Sequence, residues 1–216
     1  MIRYIAHLPI LASLLFFSIL KARSQQITVS NEKMNVLYIG VVNPVSVGVE
    51  GTPCSEIEIK TNCGEHTPSG NCKYDFLPTM PGDCTIEVYV NKNGHTKKLG
   101  ENKYRVKFIP DPVAKVGGKS AGGMPTHLLQ SQIGVTADIE NFCFDARMIV
   151  TSYTVTISRG NNDIFQKQNY GPDFDGEVTG ALKKIKPGDT IRFTEIKAKG
   201  PDSRIRALND IILKCL

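Results

Sequence analysis

The chain has no tryptophan among its 216 residues, only four histidines, and no apolar run near the roughly twenty residues that a membrane-spanning helix needs. Each shortage removes a class of function. Without tryptophan a sugar-binding surface lacks its usual stacking platform. There is no G-x-S-x-G elbow and no H-E-x-x-H helix, so the signatures of those hydrolases are missing. No cysteines stand as C-x-x-C, and past the first two dozen residues only His66, His95 and His127 could join a zinc site. All three have turn-like neighbours, the ordinary setting of a solvated loop histidine.

A basic stripe is missing too. Arg3, an apolar run from Leu8 to Leu20 and Ala22-Arg23-Ser24 read as a secretory signal over residues 1–24. Lys21 and Arg23 stand where a cleaved signal is usually neutral, so an uncleaved N-terminal anchor is the second reading. Without Arg3, Lys21 and Arg23 the formal charge falls from +5 to +2. Lysines that alternate with apolar residues are solvated strand faces, and no nucleic-acid partner is expected.

Six cysteines lie beyond that signal, four in the first half (Cys54, Cys63, Cys72, Cys84) and two in the second (Cys143, Cys215). An even count in an exported chain argues for disulfides. Strands at 55–61, 73–77 and 84–90, with a reversing connection at 62–72, would bring Cys63 to Cys72 at one end and Cys54 to Cys84 at the other. Cys143 and Cys215 can close a loop of about seventy residues, which in the chain-entropy model stabilises by roughly 4 kcal/mol.

Period-two alternation is the strongest signal in the chain. "NPVSVGVE" and "SEIEIKT" set Val45, Val47, Val49, Ile57 and Ile59 against small or polar neighbours. "MNVLYIG", "CTIEVYVN" and "KYRVKFI" read the same way, separated by Pro-Gly-Asp and Asn-Lys-Asn-Gly turn signals. In the second half Ile133, Val135, Ala137 and Ile139 alternate, and "VTSYTVTISR" puts Tyr153, Val155 and Ile157 on one face. After Asn161-Asn162 the pattern weakens, with one helical turn at "GALKKI". The expected fold class is all-β: two tandem immunoglobulin-like β-sandwich domains, 25–109 and 126–216, joined by a Pro/Gly-rich connector at 110–125.

That connector contains Gly118-Lys119-Ser120. A phosphate-binding Walker loop needs glycine where Val113 stands, so the stretch reads as a joint. Pro110-Asp111-Pro112 makes a stiff exit, and Gly117 to Gly123 is expected to bend or open. Asp173-Phe-Asp175-Gly-Glu177 has alternate carboxylates but not the glycine position or distal glutamate of a calcium loop, and a turn explains it as well. Asp145 and Arg147, flanking a strand entrance, read as a structural ion pair or a turn bond. Most second-half aromatics read as core. No catalytic residue, metal or cofactor is expected. Polar, turn-rich loops at 161–176 and 198–206 are the expected contact segments, with Asn161, Asn162, Tyr170, Asp173, Asp175 and Arg204 as partner-binding candidates.

The stretches "MNVLYIGVVNPVSVGVEG", "YRVKFIPDPVAKVGG", "FDARMIVTSYTVTISR" and "KKIKPGDTIRFTEIKAKGPDSRIRALNDI" resemble the last two periplasmic domains of the gliding-motility protein GldM and its homologue PorM, over nearly all of residues 34–214. The resemblance implies β-rich, immunoglobulin-like domains from the far end of a dimeric shaft that links an inner-membrane motor to the outer-membrane ring of the type IX secretion system. Here the expected signal would lead directly into the first of those two domains, and the four cysteines of the first domain depart from the family pattern. A chain lacking the transmembrane helix and preceding domains is expected to act by protein contact and not by transmitting motion. A monomer or weak homodimer is expected, periplasmic, outer-membrane-associated or secreted, with ring components as partners. A generic exported adhesion or carbohydrate-binding module is the alternative.

Overall fold

A computed structural model describes residues 26–31 and 35–216; the expected signal at 1–24 lies outside them. The first domain is a sandwich of two four-stranded sheets. One has the order β1 (Ile27–Asn31), β3 (Asn43–Val49), β6 (Lys73–Pro78), β5 (Gly64–Gly70). The other has the order β2 (Val36–Tyr38), β8 (His95–Lys107), β7 (Gly82–Lys92), β4 (Ile57–Thr61). Among the described strands of this domain, β2 and β8 alone pair parallel. Alternation does what it should: Val45, Val47 and Val49 of one sheet face Ile57, Ile59, Ile86, Val88 and Val90 of the other in a single core.

Strands β4 to β7 form one long hairpin folded across the sandwich. The chain runs along β4, crosses between sheets at residues 61–63, returns along β5, turns at Asn71-Cys72, and retraces the path along β6 and β7. Asn71 and Cys72 both have left-handed φ (49° and 57°), as a two-residue type I′ turn requires. Gly64 sits at the corner with φ 130°, where a Cβ would lie 2.5 Å from the Leu77 carbonyl oxygen.

This extra strand corrects the expected disulfide pairing. A seven-residue strand spans about 20 Å, so β5 carries Cys72 to the end opposite Cys63. Cys72 therefore bonds Cys54, beside the short 3₁₀ turn Cys54–Glu56, and Cys63 bonds Cys84 at the corner, with Cα separations of 5.1 and 5.2 Å. The expected Cys143–Cys215 bridge is not formed: Cys143 is exposed, whereas Cys215 is buried in the core.

The second domain is a broad sheet with an uneven cover. Its strand order is β10 (Ala121–Met124), β16 (Ile211–Cys215), β14 (Thr190–Lys199), β12 (Ile149–Arg159), β13 (Asn162–Tyr170), with β15 (Ile205–Ala207) added to β14. Facing it are the two-stranded pair β9 (Val113–Lys115) and β11 (Thr136–Asp138) and two short helices, α1 (Thr126–Gln130) and α2 (Gly176–Leu182). Tyr153, Val155, Ile157, Ile191, Phe193 and Leu213 from the sheet meet Ala114, Leu129, Val135, Phe174, Val178 and Leu182 from the cover.

Three expectations change here. The strand expected at 133–140 is only β11, because residues 133–135 leave to pair with 172–174 through Val135 N–H to Pro172 O and Phe174 N–H to Ile133 O. Ile133 is 79% exposed as a result. The expected loop from Asn161 onward is mostly β13, and the helix begins earlier than "GALKKI" because the Asp175 carboxylate accepts the Glu177 and Val178 N–H groups as an N-cap.

The Gly-rich stretch is not a loose loop. Gly117 and Gly118 (φ 55° and 78°) form the centre of a tight turn closed by reciprocal Val116 and Lys119 hydrogen bonds. Ala121 to Met124 then lies parallel to β16 as β10.

Candidate docking surface

The two domains are fastened together. Tyr38 of the first meets Phe142 and Phe144 of the second edge-on, with centroids 4.9 and 5.1 Å apart, and Val41 and Ile109 complete a small apolar core. Gly40 lies on the Pro201–Asp202 backbone so closely that a Cβ would stand 2.6 Å from the Pro201 carbonyl carbon. Phe142 and Phe144, read with the other second-half aromatics as core, pack at this joint instead; the sequence does not single out Gly40, although a glycine interrupting the apolar "YIGVV" is a signal for close backbone approach.

Arg206 latches the joint. Its side chain is 3% exposed and donates to Asp111, to Asp202 and to the Ile109 carbonyl. Burial opposes ionisation of Asp202, but hydrogen bonds from Arg206 and the Arg204 N–H outweigh it and hold the carboxyl below its usual range. Asn209 grips the same connector, accepting from the Ala114 N–H and donating to the Ala114 carbonyl as a neighbouring strand would. No local pattern distinguishes this arginine from surface ones; only its tertiary position does.

A buried asparagine sets the far corner. Asn169 donates to the Tyr153 hydroxyl and to the Tyr170 and Asp173 carbonyls, and accepts from the Asp175 N–H. Burial, followed by the nearby Asp175 and Asp173 charges, pushes the Tyr153 phenol far above its usual range.

The residues expected to contact a partner divide into three places. Tyr170, 75% exposed, Asp173 and Asp175 surround Asn169. Asn161 and Asn162 lie at the other end of β13, roughly 26 Å away at strand rise. Arg204 stands at the joint, its guanidinium 4.2 Å from the Phe108 ring centre. Asp175 has two structural tasks, capping α2 and pairing with Lys167 at 2.8 Å. The Lys167 ammonium also reaches Glu177. The acidic run is thus drawn into a helix cap and an ion-pair cluster. Among the described residues no group of three or more His, Cys, Asp or Glu side chains is placed to hold a metal ion.

Several clefts open on the second domain. A polar one of about 580 Å³ separates β11 from the start of β12; Asp145 and Arg147 both line it. The expected ion pair between those two is not among the salt bridges of the described residues, in which each occupies an exposed position. An apolar groove of about 420 Å³ lies between β13 and α2, floored by Ile157, Phe165, Ala181 and Ile185. The opposite face of the sheet is polar, with Thr154, Thr156, Gln166, Gln168 and Arg192 in neighbouring registers. No helix of the described residues is long and apolar enough to cross a membrane.

Comparison with known proteins places this geometry. No curated protein matches the chain. Among solved structures it is similar to domains 6-7 of the surface layer protein SbsC, with 12% identity, 88% of this chain and 98% of that one covered, and a TM-score of 0.29. It is also similar to the N-terminal four Ig domains of Dscam1 isoform 7.44, with 11% identity, 89% and 52% coverage, and a TM-score of 0.25. Scores this low carry no argument about function. The sequence profile of the GldM third domain matches residues 26–107, and that of the GldM C-terminal domain matches residues 110–214. Those domains are structural secretion-system components, and two disulfides fit an oxidising, extracytoplasmic compartment. The chain belongs to the GldM family, as a tandem of its third and C-terminal domains.

Proposed function

We propose that this chain is a non-enzymatic, exported protein-binding module that docks on a periplasmic or outer-membrane assembly of type IX secretion or gliding motility, as an accessory or a competitor of the family's shaft. The observation that carries the reading is the pair of GldM domains in family order across residues 26–214, held at a packed joint. A fixed joint suits docking, because a preorganised arm loses little conformational entropy when it binds. The fold supplies contact surface in the long edge strand β13 and in the polar cleft and apolar groove described above.

The test is a tagged pull-down from cross-linked native cells with envelope fractionation of the same sample. Recovery of outer-membrane ring components with the protein in an envelope fraction is the expected result. Protein free in the medium, or bound only to an unrelated envelope protein, would overturn the reading in favour of a borrowed adhesion module.

A further inference from the structure

Strand β13 closes one side of the large sheet and pairs with β12 alone. Its nine residues make it the longest edge strand among those described, so its outer side offers a row of unpaired backbone donors and acceptors. Of the other edges, β1 and β4 have only five residues each, and the rest are blunted. Strand β5 contains Pro68 and is bounded by glycines, β10 contains Gly122-Gly123, and β2 has only three residues. Strand β13 contains neither proline nor glycine.

The groove against α2 begins where this edge ends. A strand added beside β13 would turn alternate side chains toward α2, over Gly180 and Ala181, the two small residues of the groove wall. Gly180 leaves real space: a Cβ built there meets no atom within 4 Å. Ile164, 50% exposed, supplies an apolar contact at the edge itself. The rim is charged unequally. Glu177 is held by Lys167, whereas Lys184 forms none of the ion pairs among the described residues and is the one cation of the groove lining left for a ligand.

We propose that the β13 edge and this groove receive an extended segment of a partner protein as an added strand. The occupant carries an aliphatic side chain over Gly180 and Ala181 and a carboxylate within reach of Lys184. Backbone hydrogen bonds to β13 supply affinity for any extended chain, and the groove and the lysine select the sequence. The proposal rests on the protein-binding reading above and assigns its surface.

The experiment is selection of a displayed random nine-residue peptide library on the full chain, followed by titration of synthetic selected peptides and amide hydrogen exchange. Selected peptides are expected to share alternating aliphatic residues and one acid, and to slow exchange along β13. Gly180→Phe, which fills the groove, should weaken them at least tenfold, and Lys184→Glu should remove the preference for an acid. Ile164→Asp provides a second block on the surface if Gly180→Phe lowers the melting temperature. Failure to enrich peptides, protection of another edge, or undiminished binding to Gly180→Phe and Ile164→Asp would overturn the assignment. So would self-association through β13, which would make a second copy the occupant. Ring components captured equally by wild type and Gly180→Phe would refute the groove and leave the secretion reading intact. Peptide binding with no ring component recovered would do the reverse.

Discussion

Gly40 of the first domain rests on the backbone of Asp202 in the second, with φ at +81° and no room for a side chain. Both the backbone conformation and the contact demand glycine. Gly40→Ala is expected to cost about 1–2 kcal/mol through the left-handed backbone alone, and its Cβ must also push the domains apart. Small-angle scattering should show a wider distribution of domain orientations, while circular dichroism of the two β domains stays unchanged. An identical scattering profile would mean that the joint is not set by this contact.

Arg206 gives a second handle on the same joint. Arg206→Ala leaves the fully buried Asp202 carboxylate without its partner, and breaking a buried pair in this way costs roughly 3–5 kcal/mol. Thermal unfolding should fall by several degrees and become less cooperative between domains.

The latch has a defined pH response. The Asp202 carboxyl is held below its usual range, so its contribution is fully present above the unfolded value of about 3.9 and is lost as pH falls through the lower folded value. Asp189 behaves likewise, held down first by the Arg159 guanidinium. Melting temperature and scattering should therefore be flat from pH 8 to 5, with loosening only below about pH 4. A transition near pH 6 would contradict the assignment.

The cysteines can be read by mass spectrometry of a non-reduced digest. Cys54–Cys72 and Cys63–Cys84 peptides are expected, with no Cys143–Cys215 peptide. Burial pushes the Cys215 thiol up, so it should resist alkylation at pH 8 until the protein unfolds. The Cys63→Ser, Cys84→Ser double variant should lose about 3 kcal/mol, the chain-entropy value for its 21-residue separation.

Gly180 is a stabilisation site. In a helix with open space around it, Gly180→Ala should add about 0.5–1 kcal/mol in denaturant unfolding. Asp175→Ala should subtract about 1 kcal/mol by removing the α2 cap.

The parts of this fold legible in the chain are those with local causes. Val45, Val47 and Val49, and again Tyr153, Val155 and Ile157, are buried where alternation puts them, because a strand turns successive side chains to opposite faces whatever lies beyond it. Strand β13 escaped that reading because its inward side chains, Phe165, Lys167 and Asn169, include only one hydrophobic residue, so burial alternates where hydropathy does not. Its burial pattern is mostly exposed, and the only fully buried side chain is Asn169. Of the expected contact residues, Asp175 also caps the helix that begins beside it, a local task, whereas Arg204 stacks on Phe108, a neighbour far back along the chain.

Alternation, turn residues and the two families of apolar strands decide from the chain alone that this is an all-β protein of two domains. They do so because period and turn geometry act over a few residues. Which cysteines meet, where Gly40 comes to rest, what Arg206 holds and which strand is left at the edge are decided only by packing. Each depends on residues such as Ile109 and Arg206, or Cys54 and Cys72, whose proximity arises when whole sheets close on one another.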